Sequence, residues 1–135
     1  MNKIIFPGSF DPFHEGHKFV VDTILKKFDY VYIVISWNES KQRKETFESS
    51  KYKIERIFKD NKNIEVLINE NKLTTTIAKE LECFNIVRGI RNWKDKIYEK
   101  KLKKIYLSYE PNLNFYYVKS NKKFKKNSST SLKNS

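Results

Sequence analysis

Short apolar runs alternate along this chain with stretches of helical periodicity, and few folds accommodate that alternation. Ile4 to Phe6, Tyr30 to Ser36, Ile64 to Ile68, Asn85 to Val87 and Asn114 to Val118 read as buried strands, rich in Ile, Val and Tyr. Helical stretches lie between them, near residues 16 to 28, 48 to 60, 73 to 83 and 94 to 109. In the first of these, Val20, Val21, Ile24, Leu25 and Phe28 mark one face of a helix. Strand followed by helix, repeated along the chain, predicts an α/β fold: a parallel sheet with helices on both faces. At 135 residues the chain has the size of one domain, and no repeat or linker interrupts it before a polar tail.

Open α/β sheets bind ligands beyond the carboxyl ends of their strands, where loops lead into helix N-termini. The stretch "FPGSFDPFHEGHKF", residues 6 to 19, sits at such a place and holds two of the three glycines, two of the three prolines and both histidines. The remaining glycine, Gly89, follows another strand. A backbone that approaches a phosphate closely needs glycine, and a helix N-terminus offers free N–H groups and a positive dipole to an anion. His17 shares the helical face of Val20, Val21 and Ile24, so its ring points inward at the helix start. There it either packs as a core histidine or donates to a phosphoryl oxygen.

Several other readings are excluded by absence. The chain has neither G-x-x-x-x-G-K-[ST] nor G-x-G-x-x-G. His14 and His17 are three apart, but no further histidine and only one distant cysteine could complete a zinc site. That cysteine, Cys83, reads as a small buried side chain. No run of about 18 apolar residues suggests a membrane span, and Lys3 directly before the first strand argues against a signal peptide, so a cytoplasmic protein is expected. The net charge of +12 invites anionic partners, yet the lysines are spread along nearly every segment. Only residues 119–135 form an acid-free basic run, with six lysines.

The residues carry a resemblance at this point. "GSFDPFHEGH" resembles the signature of the nucleotidyltransferase superfamily, whose H/T-x-G-H motif grips the α-phosphate of a nucleoside triphosphate. "RGIRNWKDKIYE", from Arg88 to Glu99, resembles the corresponding motif of the phosphopantetheine adenylyltransferases, and "NSSTSLK" lies where that family has an I-S-S-S turn. The resemblance covers nearly the whole chain. It implies a single Rossmann-like domain over 1–135, built on a five-stranded parallel sheet, whose lysine-rich tail 119–135 ends early for the family. The implied reaction moves AMP from ATP to 4′-phosphopantetheine, giving dephospho-coenzyme A and pyrophosphate. The expectations that go with it are magnesium accompanying the nucleotide with no metal held by the protein, no nucleic-acid or membrane partner, and a homohexamer.

Transfer of an adenylyl group is in-line attack on the α-phosphorus by another phosphate, so it needs donors and cations rather than nucleophiles. The resemblance gives His17 the role of transition-state stabiliser, with Lys41 and Arg91 beside it as catalytic groups. It gives ATP Ser9, Phe10, His14, His17, Gly89, Ile90, Arg91 and Glu99, then the segment Phe124, Lys125, Lys126, Asn127, Ser128, Ser129 and Thr130. The acceptor receives Ser9, Lys41, Leu73, Thr74 and Arg88. Read by residue type alone, Arg88 ends a buried strand and must meet an anion or a carboxylate. Glu99 fits an exposed helical ion pair equally well, and Ser128 to Thr130 fit a helix N-cap or a polar tail. The chain departs from the family at His14, where threonine is usual, at Thr74, where the family is apolar, and at Asn127. His-x-G-His is more typical of nicotinate mononucleotide adenylyltransferases and cytidylyltransferases, which remain the alternatives alongside a non-catalytic basic binding protein.

Overall fold

The computed structural model describes residues 1–37 and 42–119, together with the backbone of 132–134. Its elements run β1 (Lys3–Gly8), α1 (Glu15–Leu25), β2 (Tyr30–Ser36), α2 (Phe47–Ile57), β3 (Ile64–Asn69), α3 (Thr74–Leu81), β4 (Asn85–Ile90), α4 (Trp93–Tyr109), β5 (Asn114–Lys119) and β6 (Leu132–Asn134). The strands form one sheet in the order β3-β2-β1-β4-β5-β6. Strands β1 to β5 are parallel, as the alternation predicts. The sixth, β6, is antiparallel to β5 at the sheet edge, pairing Val118 with Leu132, and lies in the tail where no strand was expected. Leu-Lys-Asn carries no β-branched residue, so nothing local marks it; edge pairing creates the strand.

Alternate residues of each strand feed opposite faces. Ile4 and Phe6 join Val20, Val21 and Ile24 of α1 and Ile54 of α2 in one buried cluster. Ile5, Val34, Ile86 and Phe115 face Ala78 of α3, with Tyr106 and Leu107 of α4 packed against them. Two helices therefore cover each face, and burying each Val or Ile side chain contributes about 1.5–3 kcal/mol. Cys83 is buried in the second cluster.

The chain leaves β1 toward β2 and β3, then crosses back to β4 and β5 on the other side, which makes β1 and β4 the switch point of the sheet. Their ladder registers one residue pair, Ile5 with Ile86, against six between β1 and β2. Pro7 cannot donate to a ladder. Past Ile5, the side chain of Arg88 spans from β4 to β1, its Nη1 donating to the Pro7 carbonyl at 3.0 Å.

Candidate active site

A cleft of about 890 Å³ opens at this switch point. Its walls come from the end of β1 and the following turn, the start of α1, the ends of β2 and β4, the start of α3, and one face of α4.

The turn after β1 is shaped by packing. A Cβ at Gly8 would lie 2.8 Å from Cζ of the Phe10 ring, so glycine is needed there for a side chain rather than only for a ligand. Phe10 is fully buried and adopts φ 49, in the left-handed region that bulky residues avoid. A Cβ at Gly16 would meet His14 at 3.0 Å, and one at Gly89 would meet Val20 at 3.3 Å. The glycines thus make room for the phenylalanine, the histidine and α1 that build the cleft, which adds a packing cause to the phosphate approach read from the sequence.

Helix α1 begins with a capping box made of two histidines. The Gly16 N–H donates to His14 Nδ1 at 3.1 Å, and the His14 N–H donates to His17 Nδ1 at 3.1 Å. A ring nitrogen that accepts a backbone hydrogen bond carries no proton, so each neutral imidazole keeps its proton on Nε2. His17 is therefore a neutral Nε2–H donor bordering the cleft. Its ring stacks on His14 at 3.8 Å and packs against Phe10 at 5.0 Å and Phe13 at 5.3 Å. Burial, then His14 and Arg91, push its pKa from 6.5 down to about 3. His14 is lowered too, by burial and then by Arg91.

Arg88 meets its carboxylate inside the molecule. Its Nε donates to both Glu99 oxygens at 2.9 and 3.1 Å, and its Nη2 donates to Oε2 at 3.0 Å. Glu99 is the buried residue of α4, so the exposed helical ion pair left open by the sequence is replaced by a bidentate pair to β4. With the bond to Pro7, these contacts use three of the five guanidinium N–H groups. Arg91 is more exposed and pairs with Asp95, whose carboxylate it holds below its ordinary pKa.

Of the residues assigned from the sequence, Ser9, Phe10, His14, His17, Thr74, Arg88, Gly89, Arg91 and Glu99 all line the cleft. Ile90 ends β4 without lining it, and Leu73 is the exposed N-cap of α3, beside the cleft rather than in its wall. Lys41 and residues 124–130 lie outside the described residues. Tyr106 was missed: its hydroxyl donates to Thr74 Oγ1 at 3.2 Å. Asp95, Tyr98, Glu99, Leu102 and Tyr106 recur at helical spacing along one face of α4, a signal present in the sequence. Ser36 was missed as well, and its buried hydroxyl has no partner among the described residues.

A neutral imidazole donor at a helix N-terminus, opening on a switch-point crevice with two arginines, defines a nucleotidyltransferase site. In agreement, the cytidylyltransferase-like family model matches residues 5–135. The phosphopantetheine adenylyltransferase of Mycoplasma capricolum is 42% identical over 133 residues, covering 98% of this chain and 95% of the relative. That of Lactobacillus gasseri is 41% identical over 118 residues, 84% of this chain and 69% of the relative. A protein of unknown function from Archaeoglobus fulgidus shares the fold, with a TM-score of 0.57 at 18% identity over 87% of this chain and 97% of the other. The chain belongs to the phosphopantetheine adenylyltransferase family of cytidylyltransferase-like nucleotidyltransferases.

Proposed function

We propose that this protein transfers the adenylyl group of ATP to 4′-phosphopantetheine, releasing pyrophosphate and forming dephospho-coenzyme A. The observation that carries the reading is the neutral His17 Nε2–H donor at the start of α1, between the β1 turn and Arg91. As the acceptor phosphate attacks the α-phosphorus, charge gathers on the nonbridging oxygens, and a preorganised donor there stabilises the transition state more than the ground state. A neutral ring keeps its donor without holding the product as an imidazolium would.

Arg88 receives the acceptor phosphate through its remaining N–H groups, with Glu99 fixing the guanidinium plane. Ser9 and Lys41 complete that subsite, while Gly89, Ile90, Arg91 and Phe124 to Thr130 serve ATP. The hydroxyls of Ser36, Thr74 and Tyr106 suit the amide groups of a pantetheine arm, and Leu73 borders their entrance. Among the described residues, the carboxylates that line the cleft, Asp11, Asp95 and Glu99, are each engaged by protein donors. No group of three or more metal-ligating side chains occurs among the described residues. On the family reading, magnesium enters with the nucleotide substrate, bound to phosphate oxygens and water.

The homohexamer is proposed on the same family reading. Helix α4 carries Trp93, Ile97, Ile105 and Tyr109, all exposed and spaced by four or eight residues along one ridge, a surface suited to another copy. No described helix is long and apolar enough to cross a membrane; the cytoplasm is the proposed site of action.

Turnover with ATP and 4′-phosphopantetheine, compared with CTP as donor and nicotinate mononucleotide as acceptor, tests the reading. Pyrophosphate release that depends on ATP and 4′-phosphopantetheine supports it. Release only when CTP replaces ATP as donor, or only when nicotinate mononucleotide replaces 4′-phosphopantetheine as acceptor, selects the relatives, and no release with any pair leaves a binding protein.

A further inference from the structure

The cleft-lining turn after β1 and the loop that leads into α2 grip each other through Arg43 and Asp11, two side chains to which the reaction assigns no role. The Arg43 guanidinium donates from Nη1 to the Ser9 carbonyl at 2.7 Å, from Nε to the Glu45 carbonyl at 2.9 Å and from Nη2 to Ser50 Oγ at 2.8 Å. Its Cζ lies 4.6 Å from the centre of the Phe47 ring. In return, the Asp11 carboxylate accepts from the N–H groups of Lys44 at 2.6 Å and Glu45 at 2.9 Å. Buried Ser50 passes the network on to Glu45, which pairs with Lys53. The grip is thereby anchored on the first turns of α2.

Between the two gripped residues, Ser9 and Asp11, stands Phe10 with its left-handed φ of 49. A bulky residue holds such a conformation only where its surroundings over-determine it. Bonds from outside the turn fix the residue before it and the residue after it. The Phe10 ring in turn stands edge-on to His17 at 5.0 Å and fills the space that Gly8 leaves.

From this chain of contacts we infer that Arg43 and Asp11 are positioning residues, which set His17 for transfer by holding Phe10 in its left-handed turn. The inference rests on the reading of His17 as the donor. Arg43 touches neither His17 nor, in this scheme, the nucleotide, so its effect on turnover passes through Phe10. Releasing the grip lets Phe10 turn toward an ordinary conformation, withdraws its ring from His17 and admits water to the imidazole. Among the described residues, the charged or titratable groups that face His17 are His14, on its own helix, and Arg91 after β4. Neither is bonded to Arg43 or Asp11 by the contacts above.

Arg43→Lys keeps the charge and stem but loses the fork, and Asp11→Asn keeps the shape but loses the charge. For each variant, kcat, the ATP dissociation constant and the His17 titration by NMR are measured on protein whose fold is verified by circular dichroism. The inference expects kcat to fall about tenfold or more, within the range that small misplacements produce. ATP affinity is to change by less than about threefold, and the His17 midpoint is to move up from about 3 toward 6.5. An unchanged His17 midpoint and unchanged kcat in folded Arg43→Lys, even with a lower melting temperature, would overturn it. If the wild type transfers no adenylyl group, the proposed reaction fails, whereas the His17 midpoint in the two variants still decides whether the grip sets the imidazole.

Discussion

Acidification should reveal His17 in the stability of the protein. Its imidazole sits among Phe6, Phe10 and Phe13 and stacks on His14, and burial, followed by His14 and Arg91, lowers its pKa from 6.5 to about 3. At about 1.4 kcal/mol per pH unit, the folded state disfavours the charged ring by about 4 to 5 kcal/mol. The sign follows from proton uptake. Above pH 6.5 the ring is neutral in both states and no penalty exists; between 6.5 and about 3 the unfolded chain binds a proton that the folded one refuses, so stability falls with pH across that window. Urea unfolding from pH 8 to 4 is to be compared between wild type and His17→Gln, which keeps an Nε2 donor and cannot titrate there. The wild type should lose more stability by about 3 kcal/mol at pH 4, and the His17 Cε1–H resonance should show no titration near 6.5. A midpoint between 6 and 7, with parallel stability curves, would refute the buried neutral donor.

Other substitutions probe the frame around it. Glu99→Gln removes the partner of a guanidinium that is only 20% exposed, and stability should fall by about 3 kcal/mol in urea, with a loss under about 1 contradicting the buried pair. Gly8→Ala places a Cβ 2.8 Å from the Phe10 ring and should cost about 1–3 kcal/mol while moving that ring off His17; an unchanged melting temperature would contradict it. At the end of α3, Glu82 has φ 51, so Glu82→Gly should raise stability by about 1 kcal/mol in calorimetry, and no gain would show that the left-handed cap costs little.

What the sequence made legible was the part governed by local pattern. The apolar runs placed β1 to β5, with β2 at Tyr30–Ser36 as read, and the face of Val20, Val21 and Ile24 oriented α1 and with it His17. The strands β1 and β4 run longer than their apolar runs because Pro7, Gly8, Arg88 and Gly89 continue the extended backbone into the cleft. Arg88 was understood to need an anion or a carboxylate, but the choice of Glu99 depends on α4 crossing the end of β4. The grip of Arg43 on Ser9 joins residues 34 apart in sequence, and no local periodicity encodes it. The φ of Phe10 and the strand β6 likewise follow from tertiary contacts, so they appear only in three dimensions.

The central claim is that His17 stabilises the transferring phosphate in the transition state, and single-turnover quench-flow of His17→Ala tests it most directly. With saturating ATP and 4′-phosphopantetheine, the chemical step should slow by about 10²–10³-fold, equivalent to about 2.7–4 kcal/mol, while the ATP dissociation constant changes far less. A slowing of less than about fivefold, under 1 kcal/mol of barrier, or an equal loss in ATP binding, would make His17 a packing residue and contradict the account.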